Sequence, residues 1–572
     1  MQIRMMALAV VALGSSAVAS AHADDFKASC AALGQGFSGS GRVVTAEFVA
    51  AGGVQLAPPA PAGVTSPAPD HCLIRGKINE RTGIDGKPYA IGYELRLPAT
   101  WNGKFVFQGG GGVDGVLRPA LGLVTGATPP NGLSNGYAVA STDSGHLEEP
   151  GPLGPYLFGL DPQALRDKGY SSIPPVAEAA KAATEKLYGT APRRSYFAGC
   201  SNGGRQAMAV TQRFPRLFDG VIAGAPAYRV PLAGIDVIAQ EQALLAIAPP
   251  GPDGKADVGS ALTDDDLKLV ADGVIAACDG ADGAKDGMVQ DVMACRFDPA
   301  VLACKEGESA QCLSAPKLKA IKLMFDGSRN AMGGLIYARW PYDPGLAAPG
   351  WRAWKLGTPK SSPPNARNLT LIAGGVPYDF MSPPETPEDL VAWVRNFDLD
   401  RDTRKVMKGA GGFDAGMEYE AAISTDLDAF KSRGGKMLFY HGTADPIFSA
   451  FDTVDYVGQL KTRYADADGF ARLFLVPGMN HCGGGPATDQ FDLLAALDQW
   501  VEGTAAAPEA IRATARRAPD VPWPGRTRDL CAFPKVLAYK GSGSLEDAAN
   551  FECRCPDRAR RLGRVHDRLM GR

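Results

Sequence analysis

The sequence predicts an α/β fold with a mostly parallel central sheet and one large insertion. Short apolar runs typical of buried strands alternate with helical patterns in the first third of the 572-residue chain, and the same alternation returns near its end. Alternation of this kind implies parallel strands with helices on both faces of the sheet. The chain is also too long for one ordinary core, which favours two domains or one domain with an insertion.

The periodicity places the repeating elements. Buried strands are predicted at 104–108, 137–141, 195–198, 221–223, 436–440 and 472–476. Helices are predicted at 176–187, 204–214 and 490–501. We therefore expect the sheet and its helices to be built from two separate parts of the chain, 24–227 and 434–572.

The middle of the chain, 228–433, differs in composition. It is rich in Gly, Pro and Asp and holds four of the seven tryptophans, Trp340, Trp351, Trp354 and Trp393. We interpret it as a lid domain, inserted between two strands and lying over the carboxyl edge of the sheet. A separate domain without contact to the functional site is the alternative.

Residues 1–23 have the features of a secretory signal peptide. Arg4 supplies a positive charge, an apolar stretch follows at 5–13, and Ala23 ends a small-x-small cleavage site. The predicted location is secreted or periplasmic, with a retained membrane helix as the alternative. The formal net charge of −3 argues against nucleic acid or a membrane surface as a partner.

One pentapeptide, Gly199-Cys200-Ser201-Asn202-Gly203, has the pattern of a nucleophile elbow. It follows a predicted strand and opens a predicted helix, which is the context in which a G-x-S-x-G serine is exposed at a tight turn. Side chains at the two flanking positions would clash in so tight a turn, so glycine is needed at both. The turn exposes Ser201, which is therefore predicted to be the nucleophile of an acyl-transfer reaction. A plain strand-to-helix turn is the alternative.

Such a reaction requires two N–H donors for the oxyanion. One is predicted at Asn202, directly after the nucleophile, and the other at Gly110 or Gly111, in the glycine run 109–112 that follows an early strand. A flexible turn and a phosphate cradle are the alternatives for this run. No Lys-Ser/Thr pair follows it, which disfavours a P-loop.

Loops after two late strands supply the remaining catalytic candidates. Asp445 follows the strand at 436–440 and His481 follows the strand at 472–476, in the chain order Ser, acid, His. We predict that His481 acts as general base and then acid, and that Asp445 fixes its tautomer and orientation. His441 and His146 are interpreted as structural.

Two of the 11 cysteines are immediate neighbours of the predicted nucleophile and base. A bond between Cys200 and Cys482 would hold the two catalytic loops together, and closing so long a loop contributes about 5 kcal/mol on the chain-entropy estimate. Two buried free thiols are the alternative. The other cysteines lack the paired spacing of a zinc site, so disulfides are favoured, with one thiol left over.

The loop at 278–288 is a candidate calcium site. Asp279, Asp282 and Asp286 lie within eight glycine-rich residues, and such a loop can offer carboxylates and backbone carbonyls to a hard cation. The spacing is not that of an EF-hand, and a solvated turn is the alternative. No organic cofactor is predicted.

These motifs resemble those of the tannase and feruloyl esterase family over nearly the whole mature chain. The resemblance is carried by 199–205, 441–445, 478–482 and the tail motif at 539–544. It implies an α/β-hydrolase core with a large lid, and the triad Ser201, Asp445 and His481. It also implies disulfides at Cys200–Cys482, Cys30–Cys72, Cys278–Cys295, Cys304–Cys312 and Cys531–Cys553, with Cys555 unpaired.

The resemblance further implies structural Ca²⁺ in the lid, held by the side chains of Asp279, Asp282 and Asp286 and the carbonyls of Ala284 and Met288. The implied activity is that of a serine carboxylesterase that cleaves small aromatic-acid esters of the feruloyl, galloyl or terephthaloyl type through an acyl-enzyme. A peptidase or lipase of the same fold and a non-catalytic binding protein are the alternatives. The physiological ester and the oligomeric state are left open.

Aromatic side chains of the lid would stack on an aromatic acyl group. The candidates are Trp351, Trp354, Trp393 and Phe397. A free carboxylate on the substrate would need a cation, for which the lid offers Arg352, Arg367 and Arg395.

Overall fold

The computed structural model describes residues 14–34, 41–57, 63–123, 131–151, 153–518 and 521–556. The first 13 residues of the predicted signal peptide lie outside this part of the chain. Residues 14–23 begin the first helix, Gly14–Leu33, which continues past the predicted cleavage site.

The strands, in chain order, are β1 (Gly41–Val49), β2 (Gly52–Gln55), β3 (Thr65–Ala68), β4 (His71–Thr82), β5 (Pro88–Pro98), β6 (Lys104–Gln108), β7 (Ala138–Thr142), β8 (Arg194–Cys200), β9 (Gly220–Gly224), β10 (Lys436–Gly442), β11 (Ala471–Val476), β12 (Ala510–Thr514), β13 (Thr527–Cys531), β14 (Val536–Tyr539) and β15 (Phe551–Arg554). The α-helices are α1 (Gly14–Leu33), α2 (Pro162–Arg166), α3 (Ile173–Tyr188), α4 (Asn202–Arg213), α5 (Val230–Ile247), α6 (Asp264–Cys278), α7 (Ala315–Asp326), α8 (Pro349–Lys355), α9 (Leu390–Asn396), α10 (Thr403–Met407), α11 (Gly416–Tyr419), α12 (Asp428–Ser432), α13 (Ala450–Arg463) and α14 (Leu493–Val501).

Nine strands form the central sheet, in the order β1-β4-β5-β7-β6-β8-β9-β10-β11. Every pairing from β7 to β11 is parallel, whereas β1, β4 and β5 extend the sheet by antiparallel pairings. The six predicted strands and three predicted helices are all present, although the last helix begins at Leu493 rather than at residue 490. The predicted fold class, a mostly parallel α/β-hydrolase sheet, is confirmed.

The sheet is buried on both faces, as a parallel sheet covered by helices must be. Successive residues of β8 show this alternation, because Phe197 belongs to one hydrophobic cluster and Tyr196 and Ala198 to another. The first cluster includes residues of α3, α4 and α13, and the second includes residues of α14. The carboxyl ends of the parallel strands are therefore held in fixed relative positions.

The stretch between β9 and β10 builds a cluster of its own. This fully described stretch contains α5 to α12 and isolated bridges but no strand. Helix α5 is, among the described residues, the one long and apolar enough to cross a membrane, and 72% of it is buried inside the protein. The side chains of Asp236 and Glu241 on α5 are buried inside the protein, which also fits a helix of the core. The boundaries 24–227, 228–433 and 434–572 remain a prediction.

Five disulfides are present, between the partners that the family resemblance implies. Four of them, Cys30–Cys72, Cys278–Cys295, Cys304–Cys312 and Cys531–Cys553, have Cα–Cα distances of 5.6, 5.2, 4.8 and 5.6 Å. Cys555 is a free, exposed thiol. Disulfides in this number fit a protein of an oxidising, extracytoplasmic compartment.

Candidate active site

The predicted nucleophile lies at a strained turn between β8 and α4. Ser201 has φ 65° and ψ −123°, outside the regions that side chains ordinarily adopt. A Cβ atom on Gly199 would lie 2.8 Å from Gly203 Cα, so glycine is required where the strand passes the helix. The turn is fixed by the Ser201 N–H, which donates to the Gly224 carbonyl at 3.0 Å. This is the geometry of a nucleophile elbow.

A disulfide joins the residues beside the predicted nucleophile and base. Cys200 and Cys482 are bonded, with Cα atoms 6.0 Å apart, although they are 282 positions apart in the sequence. The loop after β11 is therefore tethered covalently to the end of β8. The alternative of two free thiols does not hold in the structure.

The predicted base and acid are hydrogen-bonded to each other. His481 Nδ1 lies 2.7 Å from Asp445 Oδ2. The other carboxylate oxygen, Oδ1, accepts from the N–H groups of Ile447 at 2.8 Å and Phe448 at 3.0 Å. These contacts orient the carboxylate, which in turn orients the imidazole.

The Asp445 carboxylate is kept ionised by its surroundings. Burial alone would raise its pKa, but electrostatic attraction to the His481 ring and hydrogen bonds from His441 and His481 outweigh burial and hold the pKa well below its ordinary value. An ionised acid favours the tautomer in which His481 carries its proton on Nδ1. The second ring nitrogen is then an acceptor.

The second nitrogen, His481 Nε2, is buried and has no hydrogen-bond partner in the described part of the chain. The predicted contact between Ser201 and His481 is therefore not closed as a hydrogen bond in this structure. Trp354 and Phe448 pack edge-on against the imidazole, with ring centroids at 5.3 and 5.6 Å. Catalytic hydrogen bonds are often long without substrate and tighten when it binds.

In the glycine run, the two predicted oxyanion donors already donate hydrogen bonds to side chains. Gly110 N–H donates to Gln206 Oε1 and Gly111 N–H donates to Asp114 Oδ1, both at 3.0 Å. Neither is open to a substrate in this state, because a side chain from the same region already accepts from it. Asn202 is the first residue of α4, where a backbone N–H has no intrahelical partner.

Sequence reasoning missed two polar side chains that brace the late loops. Asp343 accepts from the Thr443 hydroxyl at 2.5 Å and from the Gly478 N–H at 3.0 Å, so it joins the acid loop to the histidine loop. Asn480 Nδ2 donates to the carbonyls of Gly345 and Ala444, both at 3.1 Å. Asp343 and Gly345 belong to the insertion, which therefore contacts the site.

The two histidines interpreted as structural are both buried. His146 stacks on Phe158 with ring centroids 3.8 Å apart, and burial lowers its pKa to about 3. His441 is closer to the site than expected, because its Nε2 lies 3.4 Å from Asp445 Oδ2 and 3.1 Å from the Phe448 carbonyl. It therefore lies beside the same carboxylate oxygen that His481 contacts.

The four aromatic candidates of the insertion differ in their surroundings. Trp354 contacts His481, as described above. Trp351 and Phe397 are 3% and 6% exposed within the hydrophobic cluster of the insertion, and Trp393 packs on Phe397 and donates to Glu385. Their contact with a substrate therefore stays a prediction, whereas Trp354 already contacts the candidate base.

The three lid arginines also differ in their surroundings. Arg352 donates to the carbonyls of Leu262 and Gly259 and pairs with Asp264, so it joins two segments of the insertion. Arg367 is exposed and lies over Trp354, 5.4 Å from the ring centroid. Arg395 is exposed on α9.

The candidate calcium loop holds three buried carboxylates. Asp279, Asp282 and Asp286 are 6, 7 and 8% exposed, and Asp282 Oδ2 is buried without a partner. Asp286 is paired with the buried guanidinium of Arg528, from the C-terminal strands. Within the described residues, no group of three or more Asp, Glu, His or Cys side chains is arranged so that it could hold a metal ion.

Comparison with known proteins places the chain. The sequence model of the family described as "Tannase and feruloyl esterase" matches residues 75–554. The chain belongs to this family. It is 43% identical to the mono(2-hydroxyethyl) terephthalate hydrolase of Piscinibacter sakaiensis over 526 residues, 87% of each chain. It is 27% identical to a probable feruloyl esterase B of Aspergillus clavatus over 583 residues, 96% of this chain and 99% of that one.

A solved esterase structure is similar in fold to this chain. The crystal structure of an esterase from Aspergillus oryzae superimposes with a TM-score of 0.73 at 25% identity, covering 92% of this chain and 100% of the other. The chain is thus a carboxylic ester hydrolase, of a family named for its action on esters of aromatic acids.

Proposed function

We propose that this esterase works by a serine mechanism, with Ser201 as nucleophile, His481 as general base and acid, and Asp445 as the orienting acid. The observation that carries the proposal is the 2.7 Å bond between His481 and Asp445, on a loop that a disulfide ties to the neighbour of Ser201. His481 Nε2 is the unpartnered acceptor that such a mechanism needs.

The proposed reaction has two steps. Ser201 Oγ attacks the ester carbonyl while its proton passes to His481 Nε2, and that proton then leaves with the alcohol, which gives an acyl-enzyme. Water, deprotonated by the same nitrogen, releases the acid and restores the serine. Asn202 N–H is the proposed first oxyanion donor, and a backbone N–H of the glycine run is the proposed second.

Labelling tests the assignment of the nucleophile. A fluorophosphonate should modify the folded protein at Ser201, identified by mass spectrometry of the tryptic peptide, because only an activated serine reacts readily. His481→Ala, which keeps the serine but removes its base, should be labelled about 100-fold more slowly. Rapid modification at another residue, or none, would contradict the proposal.

We infer that the acyl group is aromatic and packs against Trp354. This indole lies beside His481, where the acyl ring of a bound ester would be placed, and an offset or edge contact between rings is favourable. Arg367 lies 5.4 Å from the centroid of the same indole and is the lid arginine best placed to meet a negative group on that acyl ring. Monoesters of aromatic diacids are therefore included among the proposed substrates.

A charge-matched substrate pair tests this assignment. Arg367→Gln should raise KM about fivefold for a hydroxyethyl monoester of terephthalate, which carries a carboxylate, and leave a neutral methyl benzoate-type ester unchanged. The effect is modest because Arg367 is exposed. Arg395→Gln, another exposed lid arginine, is the matched control. Equal effects of both substitutions on both esters would count against Arg367.

We propose further that Ca²⁺ binds in the loop at 278–288. The residues that would hold it are Asp279, Asp282 and Asp286, with the carbonyls of Ala284 and Met288. The unpartnered, buried Asp282 Oδ2 and the burial of three like charges in one loop support a cation there. Its role is to stiffen the lid next to the Cys278–Cys295 bond, not to take part in the reaction.

Chelation tests the calcium proposal. EDTA should lower the Tm by about 5 °C, restored by Ca²⁺, because a ligand bound to the native state stabilises it. In Asp282→Asn the chelator should have no effect on the Tm. An identical Tm with and without EDTA, together with no calcium in the dialysed protein by elemental analysis, would contradict the proposal and leave Arg526 and Arg528 as the cations beside the loop.

The remaining proposals concern location and architecture. We propose that 1–23 is a signal peptide cleaved near Ala23 and that the mature enzyme is secreted or periplasmic. Cleavage there would retain Cys30 and its bond to Cys72. We also propose that 228–433 acts as a lid, supported by the contacts of Asp343 and Trp354 with the catalytic loops.

A further inference from the structure

One buried carboxylate, that of Asp114, joins the glycine run to the first turn of α4. Its Oδ1 accepts from the Gly111 N–H at 3.0 Å and from Asn202 Nδ2 at 2.7 Å. Its Oδ2 accepts from Gln206 Nε2 at 2.9 Å and from the Ser144 hydroxyl. Four donors from three segments therefore converge on a side chain that is 7% exposed.

The Asp114 carboxylate also fixes the position of Gly110, through the side chain of Gln206. A carboxylate can only accept hydrogen bonds, so the Gln206 amide must turn its NH₂ group toward Asp114 and its oxygen away. That oxygen accepts from the Gly110 N–H at 3.0 Å. Asp114 thus fixes Gly111 directly and Gly110 through one intermediary.

The glycine run, Asp114 and the start of α4 approach one another closely. A Cβ atom on Gly110 would lie 2.6 Å from Asp114 Oδ2, and one on Gly203 would lie 2.7 Å from the Gly110 carbonyl. Asp114 itself has φ 56°, a conformation that is costly for a residue with a side chain and persists when its contacts over-determine it. Conformations of this kind concentrate at functional sites.

We propose that Asp114 is a positioning residue for the oxyanion hole. Its charge holds the glycine run in register with Asn202, so that a loop N–H and the Asn202 N–H converge on the carbonyl oxygen of a bound ester. The inference depends on the proposed serine mechanism and adds to it a residue that does not touch the substrate. Its effect is on the transition state, where the oxygen becomes negative.

Asp114→Asn tests the proposal with little change in volume. The amide places an NH₂ group against the donors of Gln206 or Ser144, so the network must rearrange. The readout is a pair of substrates, an ester and its thionoester, since a thiocarbonyl sulfur is a large, weak acceptor that gains little from an oxyanion hole. We expect kcat/KM to fall about 50-fold for the ester and about threefold for the thionoester.

Asp236→Asn is the matched control. This buried carboxylate on α5 also accepts four hydrogen bonds, two from Ser328 and one each from Gln240 and Trp340, and none comes from the glycine run or the triad. A comparable loss of Tm is expected, because each variant disturbs a buried network of the same size. The ratio of ester to thionoester rates should stay at the wild-type value.

The outcomes separate this role from general damage. Equal losses for both substrates in a folded Asp114→Asn protein, or no loss at all, would overturn the positioning role. If that variant does not fold, Gln206→Met replaces it, and an unchanged ratio there would overturn the role equally. Ser201→Ala is measured alongside, because its full activity would refute the serine mechanism itself.

Discussion

Ser201→Ala is expected to lower kcat for an aromatic ester by at least about 10⁴-fold, because no other group in the proposed mechanism can form the acyl-enzyme. The substitution removes only the hydroxyl, which does not cap α4, so the elbow should be kept. Alanine is as strained as serine at φ 65°, which adds no new cost. Steady-state hydrolysis of methyl ferulate or a p-nitrophenyl ester measures the loss.

The fold of that variant needs an independent check. Its Tm should lie within about 3 °C of the wild type, since an exposed or half-buried hydroxyl without an essential partner contributes little to stability. A variant that folds and still turns over the ester within tenfold of the wild-type rate would refute the nucleophile assignment. A variant that does not fold would be replaced by Ser201→Gly.

Asp445→Asn is expected to lower kcat by about 10⁴-fold with a smaller change in KM. The amide can donate to His481 Nδ1 and would then favour the tautomer whose proton sits on Nε2, where it cannot accept from the serine. The N–H groups of Ile447 and Phe448 can still donate to the remaining oxygen, so the loop should keep its shape. Comparing kcat and KM separates this loss from one of substrate binding.

The stability of the protein should depend on the ionisation of Asp445 over a defined pH range. The folded-state pKa of Asp445 lies below its ordinary value, so the carboxylate contributes stability that is present above the unfolded-state pKa. That contribution is lost as the pH falls through the folded-state value. The variant lacks it throughout, so the Tm difference from the wild type should be largest at neutral pH and shrink in acid. A difference that does not vary with pH would contradict this.

The elements that could be predicted from the sequence are those with local causes. The elbow follows from the glycines around Ser201, because the clash that requires them occurs within one turn. The six parallel strands follow from their continuous apolar runs, since both of their faces are buried. In contrast β4, whose exposed Arg75 and Lys77 alternate with buried residues, carries no such run, and it was not predicted.

Contacts between distant positions could not be predicted in this way. Gln206 and Gly110 are 96 positions apart, and Asp343 and Gly478 are 135 apart. Nothing in the composition around Asp343 distinguishes it from the many other aspartates of the insertion. The same holds for the lid aromatics, because burial, which separates Trp351 from Trp354, depends on how the whole insertion packs.

The disulfide between Cys200 and Cys482 makes activity depend on the redox environment in which the polypeptide folds. In a reducing cytoplasm the two thiols would stay apart, and the loop with the imidazole would be held only by its weaker contacts. Oxidation of the two thiols to the disulfide fixes this loop beside the end of β8. A recombinant preparation is therefore expected to reach full turnover only where its host can oxidise thiols.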